Sequence, residues 1–451
     1  MKIKRIFRLI ICLGPSFFGI KASAQTSTLP KVHAFSAKQA VDYALQNAVQ
    51  VKNALLDIET QRQTNKGITA TALPQINATA SVVDYLSIPT SLLPAEIFGG
   101  QAGTFIPVKF GTKYNGTFGA NLQQILFDGQ VFVGLQARKT SIDYYVKAAE
   151  VTQELIKANV YKIYYQLVVG QRQMGTISAN IDNYLKLLHD TKEIYKNGFA
   201  EKLDVDKVQV QLNNLETQLL RAQNQIDAGN EGLKFLMNVP QKDSLILTDT
   251  LSDEEIKTNI LDENYTYNDR KEYQLLDLQS KLQQYNVKRY KLSKIPTLSL
   301  SGNFNKNAQR STFNFLKSGQ PYFTTSFITF SLNVPIFDGG NRNSKIASAK
   351  IDLRKTKNNI DQLKSSIDND VAQSRINIKS AMLTMDSQKK NIELAQQVYN
   401  STKLKYEQGL GSNQEINTAQ TDLVTAQNNY YNSLYDAIIA KINYLQAAGK
   451  L

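Results

Sequence analysis

Two hydrophobic periods succeed one another along the chain, and the succession occurs twice. From Gln75 the apolar positions Ile76, Ala78, Ala80 and Val82 alternate with Asn77, Thr79 and Ser81. Tyr114, Gly116, Phe118, Ala120 and Leu122 alternate in turn with Asn115, Thr117, Gly119, Asn121 and Gln123. The second pair runs through Leu298, Leu300, Gly302 and Phe304 against Thr297, Ser299, Ser301 and Asn303, then Ile328, Phe330, Leu332 and Val334 against Thr329, Ser331 and Asn333. A period of two predicts strands with one apolar face, and roughly 9–11 residues is what a tilted membrane strand needs. A soluble sandwich would show the same alternation. Against it, the strands come as two isolated hairpins whose long loops carry Phe98, Phe105, Phe110, Phe313, Phe315, Tyr322 and Phe323, and aromatic residues at strand ends suit a membrane interface.

After Gly129 and Gly339 the period becomes helical and stays so over residues 130–196 and 341–407, without one proline. Each stretch would reach about 100 Å as a continuous helix. Ile346, Ala349, Leu353, Thr356, Ile360, Leu363 and Ile367 step by three and four, the spacing of a coiled-coil seam. Val208, Leu212, Leu215, Leu219, Ala222, Ile226, Gly229, Leu233 and Leu236 do so on the returning helix of the first half. In the second half Ile416, Leu423, Tyr430, Ala437 and Tyr444 recur every seven residues, as do the small Ala419, Ala426, Ser433, Ala440 and Ala447. A further helix is predicted from Ser36, with Ser36 and Gln39 at capping-box spacing, ending before Pro74.

The halves share landmarks in one order. LFDG at 126–129 returns as IFDG at 336–339, YKNG ending at Gly198 returns as YEQG ending at Gly409, and ALPQINATAS from Ala72 has KIPTLSLSG from Lys294 as counterpart. Repeated order of this kind marks a duplicated unit. The predicted organisation is a signal segment at 1–24, a first repeat at 25–239 with its hairpin at 75–127, a connector at 240–268, and a second repeat at 269–451 with its hairpin at 297–337. The connector combines Leu245, Ile246 and Leu247 with Asp249, Asp253, Glu254, Glu255, Asp262 and Glu263, and is expected to form a small collar outside the helical layer.

Residues 1–24 read as a cleavable export signal, with Lys2, Lys4, Arg5 and Arg8 before an apolar run and Ala22, Ser23 and Ala24 after it. Cys12, the single cysteine, lies inside that segment, so disulfides are excluded after cleavage at Gln25. Without the five basic residues of the segment the formal charge of +13 falls to +8. No basic cluster interleaved with aromatics points to nucleic acid. With His33 and His189 the only histidines, no metal site, cofactor or catalytic constellation is predicted. No apolar stretch beyond the signal is long enough for a membrane helix, so strands must make any crossing. Four strands cannot close a barrel. Two chains would give eight and a filled interior, whereas three would give twelve and leave room for a passage.

The chain resembles the TolC family of outer-membrane efflux proteins. The likeness rests on the duplicated proline before each first strand (Leu73, Pro74; Ile295, Pro296), the duplicated FDG, and the tyrosine-x-x-glycine at each hairpin tip. LKFLMNVP at 233–240 and the Arg270, Lys271, Glu272 restart also contribute. The resemblance implies an α+β membrane fold: four membrane strands per chain with long antiparallel coiled-coil-like helices, and a homotrimeric 12-stranded β-barrel continuing into a 12-helix α-barrel. It implies a passive duct of a tripartite efflux or type I secretion system in the Gram-negative outer membrane. Its partners would be outer-membrane lipid, a periplasmic membrane-fusion adaptor and an inner-membrane transporter. A periplasmic coiled-coil adaptor is the alternative, although one helical hairpin between soluble strand-rich halves would then be expected.

By the same resemblance Gly198, Phe199, Ala200, Glu201 and Leu203, with Gly409, Leu410, Gly411, Ser412 and Asn413, form the adaptor-facing rim. Pro74, Phe127, Asp128, Gly129, Pro296, Phe337, Asp338 and Gly339 form the strand–helix junctions. Six residues past the tip glycines stand Asp204 and Glu415. Glu415 is the candidate for an acidic ring at the periplasmic entrance, and a plain helix-start acid favoured by the helix dipole is the other reading. Thr418 and Gly411 depart from the fullest family pattern, which leaves any entrance latch to Tyr406 and Asp204.

Overall fold

The computed structural model describes residues 30–250 and 264–451. The predicted signal segment lies outside the described residues, as do Asp253, Glu254, Glu255, Asp262 and Glu263. The first half runs β1 (Val32–Phe35), α1 (Ala37–Asn47), α2 (Val49–Thr71), β2 (Gln75–Asp84), β3 (Thr90–Pro94), β4 (Phe105–Lys109), β5 (Tyr114–Phe127), α3 (Gly129–Lys196) and α4 (Lys202–Met237). After β6 (Ser244–Leu247) the second half runs α5 (Lys271–Leu292), β7 (Thr297–Arg310), β8 (Phe323–Asn333), α6 (Asn341–Glu407) and α7 (Asn413–Ala447).

The two hairpins are not isolated. They join through β5 and β7 into one antiparallel sheet of order β2-β5-β7-β8. β5 and β7 are each 14 residues long, and β7 continues past Phe304 through Lys306 and Arg310, where basic residues enter the apolar row. Pairing between residues about 190 apart, such as Gly119 with Asn305, leaves no local trace in a sequence. The loop inside the first hairpin is itself a ribbon, β3 on β4, so Phe105 lies on a strand, and Phe323 opens β8 instead of ending a loop. Pro94 and Pro107 within that ribbon hide its alternation.

The helix expected to run unbroken from Ser36 divides at Ala48, whose ψ of 133° is extended. Its capping box forms, Ser36 Oγ accepting from the Gln39 N–H at 3.2 Å and Gln39 Oε1 accepting from the Ser36 N–H at 2.9 Å. The connector is more than a solvated link. Leu245 and Leu247 on β6 pack toward the core while β6 pairs in parallel with β1. Asp243 beside it accepts from the Lys31 N–H and lies 2.9 Å from His33 Nε2, and the Lys31 bond, then His33, holds its carboxyl below the ordinary range.

α3 packs against α4 and α6 against α7 as antiparallel hairpins, with α2 and α5 flanking the sheet-proximal ends of α3 and α6. At either end the layer is therefore about four helices wide. Gly449, at φ 71°, lets the end of α7 meet the start of α5: a Cβ there would stand 2.7 Å from the Asp269 backbone. The core follows the apolar seams. Tyr164, Leu233, Met237 and Leu434 anchor the upper cluster, and Tyr184, Leu212, Ile416 and Leu423 the tip cluster. Val210 and Leu220 on α4, with Ile351, Ile376 and Leu383 on α6, stay exposed along the flanks of the layer.

Candidate functional site

Both long helices reverse at the end farthest from the sheet, through the same chemistry. Gly198 takes φ 80° and Gly409 φ 69°, left-handed geometry that glycine adopts without a Cβ clash. The Phe199 N–H reaches the Ile194 carbonyl at 3.0 Å and the Leu410 N–H reaches that of Lys405 at 2.9 Å, so the last carbonyls of each helix are satisfied. Phe199, Leu203 and Leu410 are exposed at this tip, while Ala200, Glu201, Gly411 and Ser412 complete the turns. The return helices begin in matching ways. The Asp204 carboxylate accepts the Glu201 N–H at 3.3 Å, the Glu415 carboxylate accepts the Ser412 N–H at 3.2 Å, and Ser412 Oγ accepts from Glu415 at 3.2 Å. Asp204 and Glu415 thus close helix N-termini within this chain. Tyr406 is brought to Thr191, hydroxyl to hydroxyl at 3.3 Å, and not to Asp204. Asn413 is buried and donates to Thr191 at 3.4 Å. A groove of about 410 Å³ between α4 and α7, lined by Leu203, Lys207, Val210, Gln414 and Thr418 among others, opens just above the tip.

A contact farther up the helices has no counterpart among the sequence-based expectations. The two hairpins meet along α3 and α7 through amides and hydroxyls: Asn180 donates to Gln427 at 2.7 Å, Gln173 donates to Asn428 at 3.1 Å, and Thr176 meets the Tyr431 hydroxyl at 2.7 Å. Gln420, 1% exposed, lies 3.5 Å from the Asn180 carbonyl oxygen. The available signal was the seven-residue spacing of Asn413, Gln420 and Gln427, matched by Gln173 and Asn180. Paired amides hold the register of the two hairpins, each bond contributing about 0.5–1.5 kcal/mol.

At the opposite end, the register sorts side chains onto two faces. One carries the rows Ile76, Leu122, Gly302, Ile328 and Ala78, Ala120, Phe304, Ser326; the other carries Gln75, Gln123, Ser301, Thr329 and Asn77, Asn121, Asn303, Phe327. Asn303 donates to Asn121, Thr117 to Asn307 and Asn307 to Thr325, the last two at 3.2 and 3.0 Å. Aromatic residues gather at both ends of the apolar face. Tyr114, Phe118, Phe313, Phe315 and Tyr322 pack edge-on at the outer end, with Arg310 over the Tyr322 ring; Phe127 and Phe132 adjoin at the helical end.

The duplicated FDG does different work in each half. Asp128 caps α3 by accepting from Gln130 at 2.8 Å, and Gly129 has no room for a Cβ, which would stand 2.8 Å from Leu292 Cβ. Asp338 instead bridges two left-handed glycines, Gly339 and Gly340, to reach Arg342, and the Arg342 backbone N–H chiefly holds its carboxyl below the ordinary range. Phe337 is exposed. Pro74 and Pro296 each sit between a helix end and the first residue of a strand, where a missing N–H costs no ladder bond.

A tether fixes the connector to the helical layer. Tyr265 and Tyr267 donate to the two oxygens of Asp368 on α6, at 2.6 and 3.0 Å. The Asp368 bond, then burial, raises the Tyr265 phenol from 10.0 to about 12. Folding therefore favours the neutral phenol: the tether is whole below about pH 10, where an unfolded tyrosine starts to ionise, and is lost as pH rises through about 12. An alkaline titration of phenolate absorbance is expected to lose one phenol ionising near 12 in Tyr265→Phe. Among the described residues no group of histidine, cysteine and carboxylate side chains could hold a metal ion, and no helix is long and apolar enough to cross a membrane.

A sheet with one apolar and one polar face, carried on long helical hairpins, is the architecture of an outer membrane channel subunit. The chain belongs to the outer membrane efflux protein family, whose model it matches over residues 40–239 and 274–450. It is similar to the outer membrane protein TolC of Vibrio cholerae, at 22% identity over 74% of this chain and 76% of that one, and to TolC of Escherichia coli, at 20% identity over 73% and 68%. Solved structures share the fold. They include CusC, with a TM-score of 0.75 at 16% identity over 92% of each chain, and the Campylobacter jejuni CmeC outer membrane channel, with 0.74 at 17% over 92% and 85%. The Vibrio cholerae outer membrane protein VceC aligns with a TM-score of 0.71 at 16% identity over 92% and 96%. The chain is therefore a TolC-like outer membrane efflux channel protein, from a family of channels, not enzymes.

Proposed function

We propose that three copies close their sheets into a 12-stranded barrel in the outer membrane and their helices into a 12-helix tube below it, forming the passive duct of a tripartite efflux or secretion machine. The observation that carries this reading is the pair of unpaired sheet edges. β2 and β8 are the outer strands of the sheet, and among the described residues neither has a second neighbour. In lipid an open edge leaves backbone groups unsatisfied at several kcal/mol each, and four strands are too few to curl shut. β2 of one copy facing β8 of the next removes both edges, and twelve strands leave a bore. The exposed apolar flanks of α4 and α6 would be covered by the same contact. On this reading residues 25–239 and 269–451 act as two repeats of one duct-forming unit. The test is the mass of the protein extracted from the outer membrane in detergent. A mass of three chains that collapses to one on boiling is expected; a monomer recovered from the soluble periplasm would overturn the duct.

In this arrangement the tips at 198–204 and 409–415 point into the periplasm and meet an adaptor that couples the duct to an inner-membrane pump, with the groove between α4 and α7 open to a partner helix. The Glu415 carboxylates of three copies would ring the entrance and draw cations, and the amide seam between α3 and α7 is where the hairpins would shift. The Tyr406 hydroxyl bond to Thr191 would hold the resting tip, and losing it costs about 0.5–1.5 kcal/mol per copy. Tyr406→Phe is accordingly expected to raise the single-channel conductance of the purified duct. Unchanged conductance would remove Tyr406 from the latch.

A further inference from the structure

Along the free edge strand β8 the polar face of the sheet is interrupted at two places. It should carry hydroxyl and amide groups only, and at Asn333, Ser331, Thr329 and Thr325 it does; at Phe327 and Phe323 it carries rings. They are four residues apart on one strand, 53% and 62% exposed, and so stand in a row along the same face. Neither has an apolar neighbour across the sheet. Phe327 lies opposite Asn303 and Phe323 opposite Asn307. On the other free edge β2 presents Gln75, Asn77, Thr79 and Ser81 on this face, with Val83 its one apolar residue there. A ring in contact with water forfeits the burial that normally rewards a phenylalanine. With the Asn303 and Asn307 amides opposite them, the rings offer stacking faces beside hydrogen-bonding groups.

We propose that Phe323 and Phe327 form an aromatic stripe, repeated three times around the bore, that binds planar aromatic amphiphiles in transit: the rings stack on the ligand's π-face and the Asn121, Asn303 and Asn307 amides take its polar edge. The inference rests on the trimeric-barrel reading, which makes this face the bore. A duct lined by asparagine, serine and threonine alone would treat solutes alike. With the stripe, cargo is ranked by ring content.

The chain contains no tryptophan, so Phe327→Trp carries a single reporter. With the trimer of this variant in lipid nanodiscs, its indole emission is expected to be quenched by aqueous iodide, and saturably by proflavine, a tricyclic aromatic cation. It should resist lipids brominated on their acyl chains. Phe330→Trp, on the opposite face of the same strand, should show the reverse. Replacing Phe323 and Phe327 together by serine should weaken proflavine binding roughly tenfold through two lost ring contacts. Quenching of the Phe327→Trp indole by brominated lipid would overturn the stripe, and so would unaltered proflavine binding in a trimeric serine variant. A serine variant that fails to assemble beside a trimeric wild type would assign the rings to assembly and overturn the proposal. A wild type that is not trimeric fails the duct reading itself.

Discussion

Phe330→Arg is expected to abolish assembly in the outer membrane, while Thr329→Arg, the adjacent substitution, leaves assembly intact. Phe330 pairs with Leu300 on the apolar face and is 69% exposed in the single chain, so an arginine there gives up little contact within one subunit. Its cost arises only in lipid, at about 2–4 kcal/mol for an arginine near the bilayer midplane. In the proposed trimer three copies would bear it together, a cost comparable with the whole stability of a typical domain. Thr329 pairs with Ser301 on the polar face, where an arginine would meet the water of the proposed bore. Boiling-sensitive trimer recovered from the membrane fraction is the readout. Equal loss from both substitutions would mean that the faces are not divided between lipid and water.

Gly119→Val is expected to be nearly as damaging by a different route. A Cβ at Gly119 would stand 1.9 Å from Asn305 Oδ1 and 2.3 Å from the Phe304 carbonyl oxygen. A side-chain amide can rotate aside, but a backbone oxygen in the partner strand cannot. Overpacking typically costs about 1–3 kcal/mol, and here it falls on the strand pair that joins the two halves of the sheet. The measurement is the yield and thermal midpoint of the trimer. Gly175→Ala on α3 is the control, because nothing lies within 4 Å of its Cβ position and the helix should gain about 1 kcal/mol from the exchange.

The tips and the sheet differ in how far they could be read from local pattern. The reversals at Gly198 and Gly409 were legible because a left-handed helix stop needs glycine within a few residues of the last turn. The capping partners Ser36, Asp128 and Ser412 follow from equally local rules. Glu415 was legible as a carboxylate at the start of a helix, but its bond to the Ser412 N–H is a matter of geometry. The break at Ala48 had no such marker. Alanine is the best helix former, and only packing of α1 and α2 against different parts of α3 puts it in an extended conformation. The amide seam of Asn180, Gln420 and Gln427 was spelled out at seven-residue intervals, but which helix those amides face is a property of the assembled hairpins.

By itself the sequence determined the two hydrophobic periods and the sites of chain reversal, since each depends on residues less than about two helical turns apart, and the repeated order of landmarks, since comparing one half of the chain with the other needs no contact between them. It also determined which side chains share a strand face, because alternation is set by the pleat. Only the tertiary structure decided that the hairpins fuse through β5 and β7, that β1 and β6 bind the connector to the start of the helical layer, and that Phe323 and Phe327 stand among asparagines. Those are contacts across the sheet or between distant segments, and hydrogen bonding between strands is blind to side-chain identity. No single segment carries a record of its partner, so the partner is chosen when the whole layer packs.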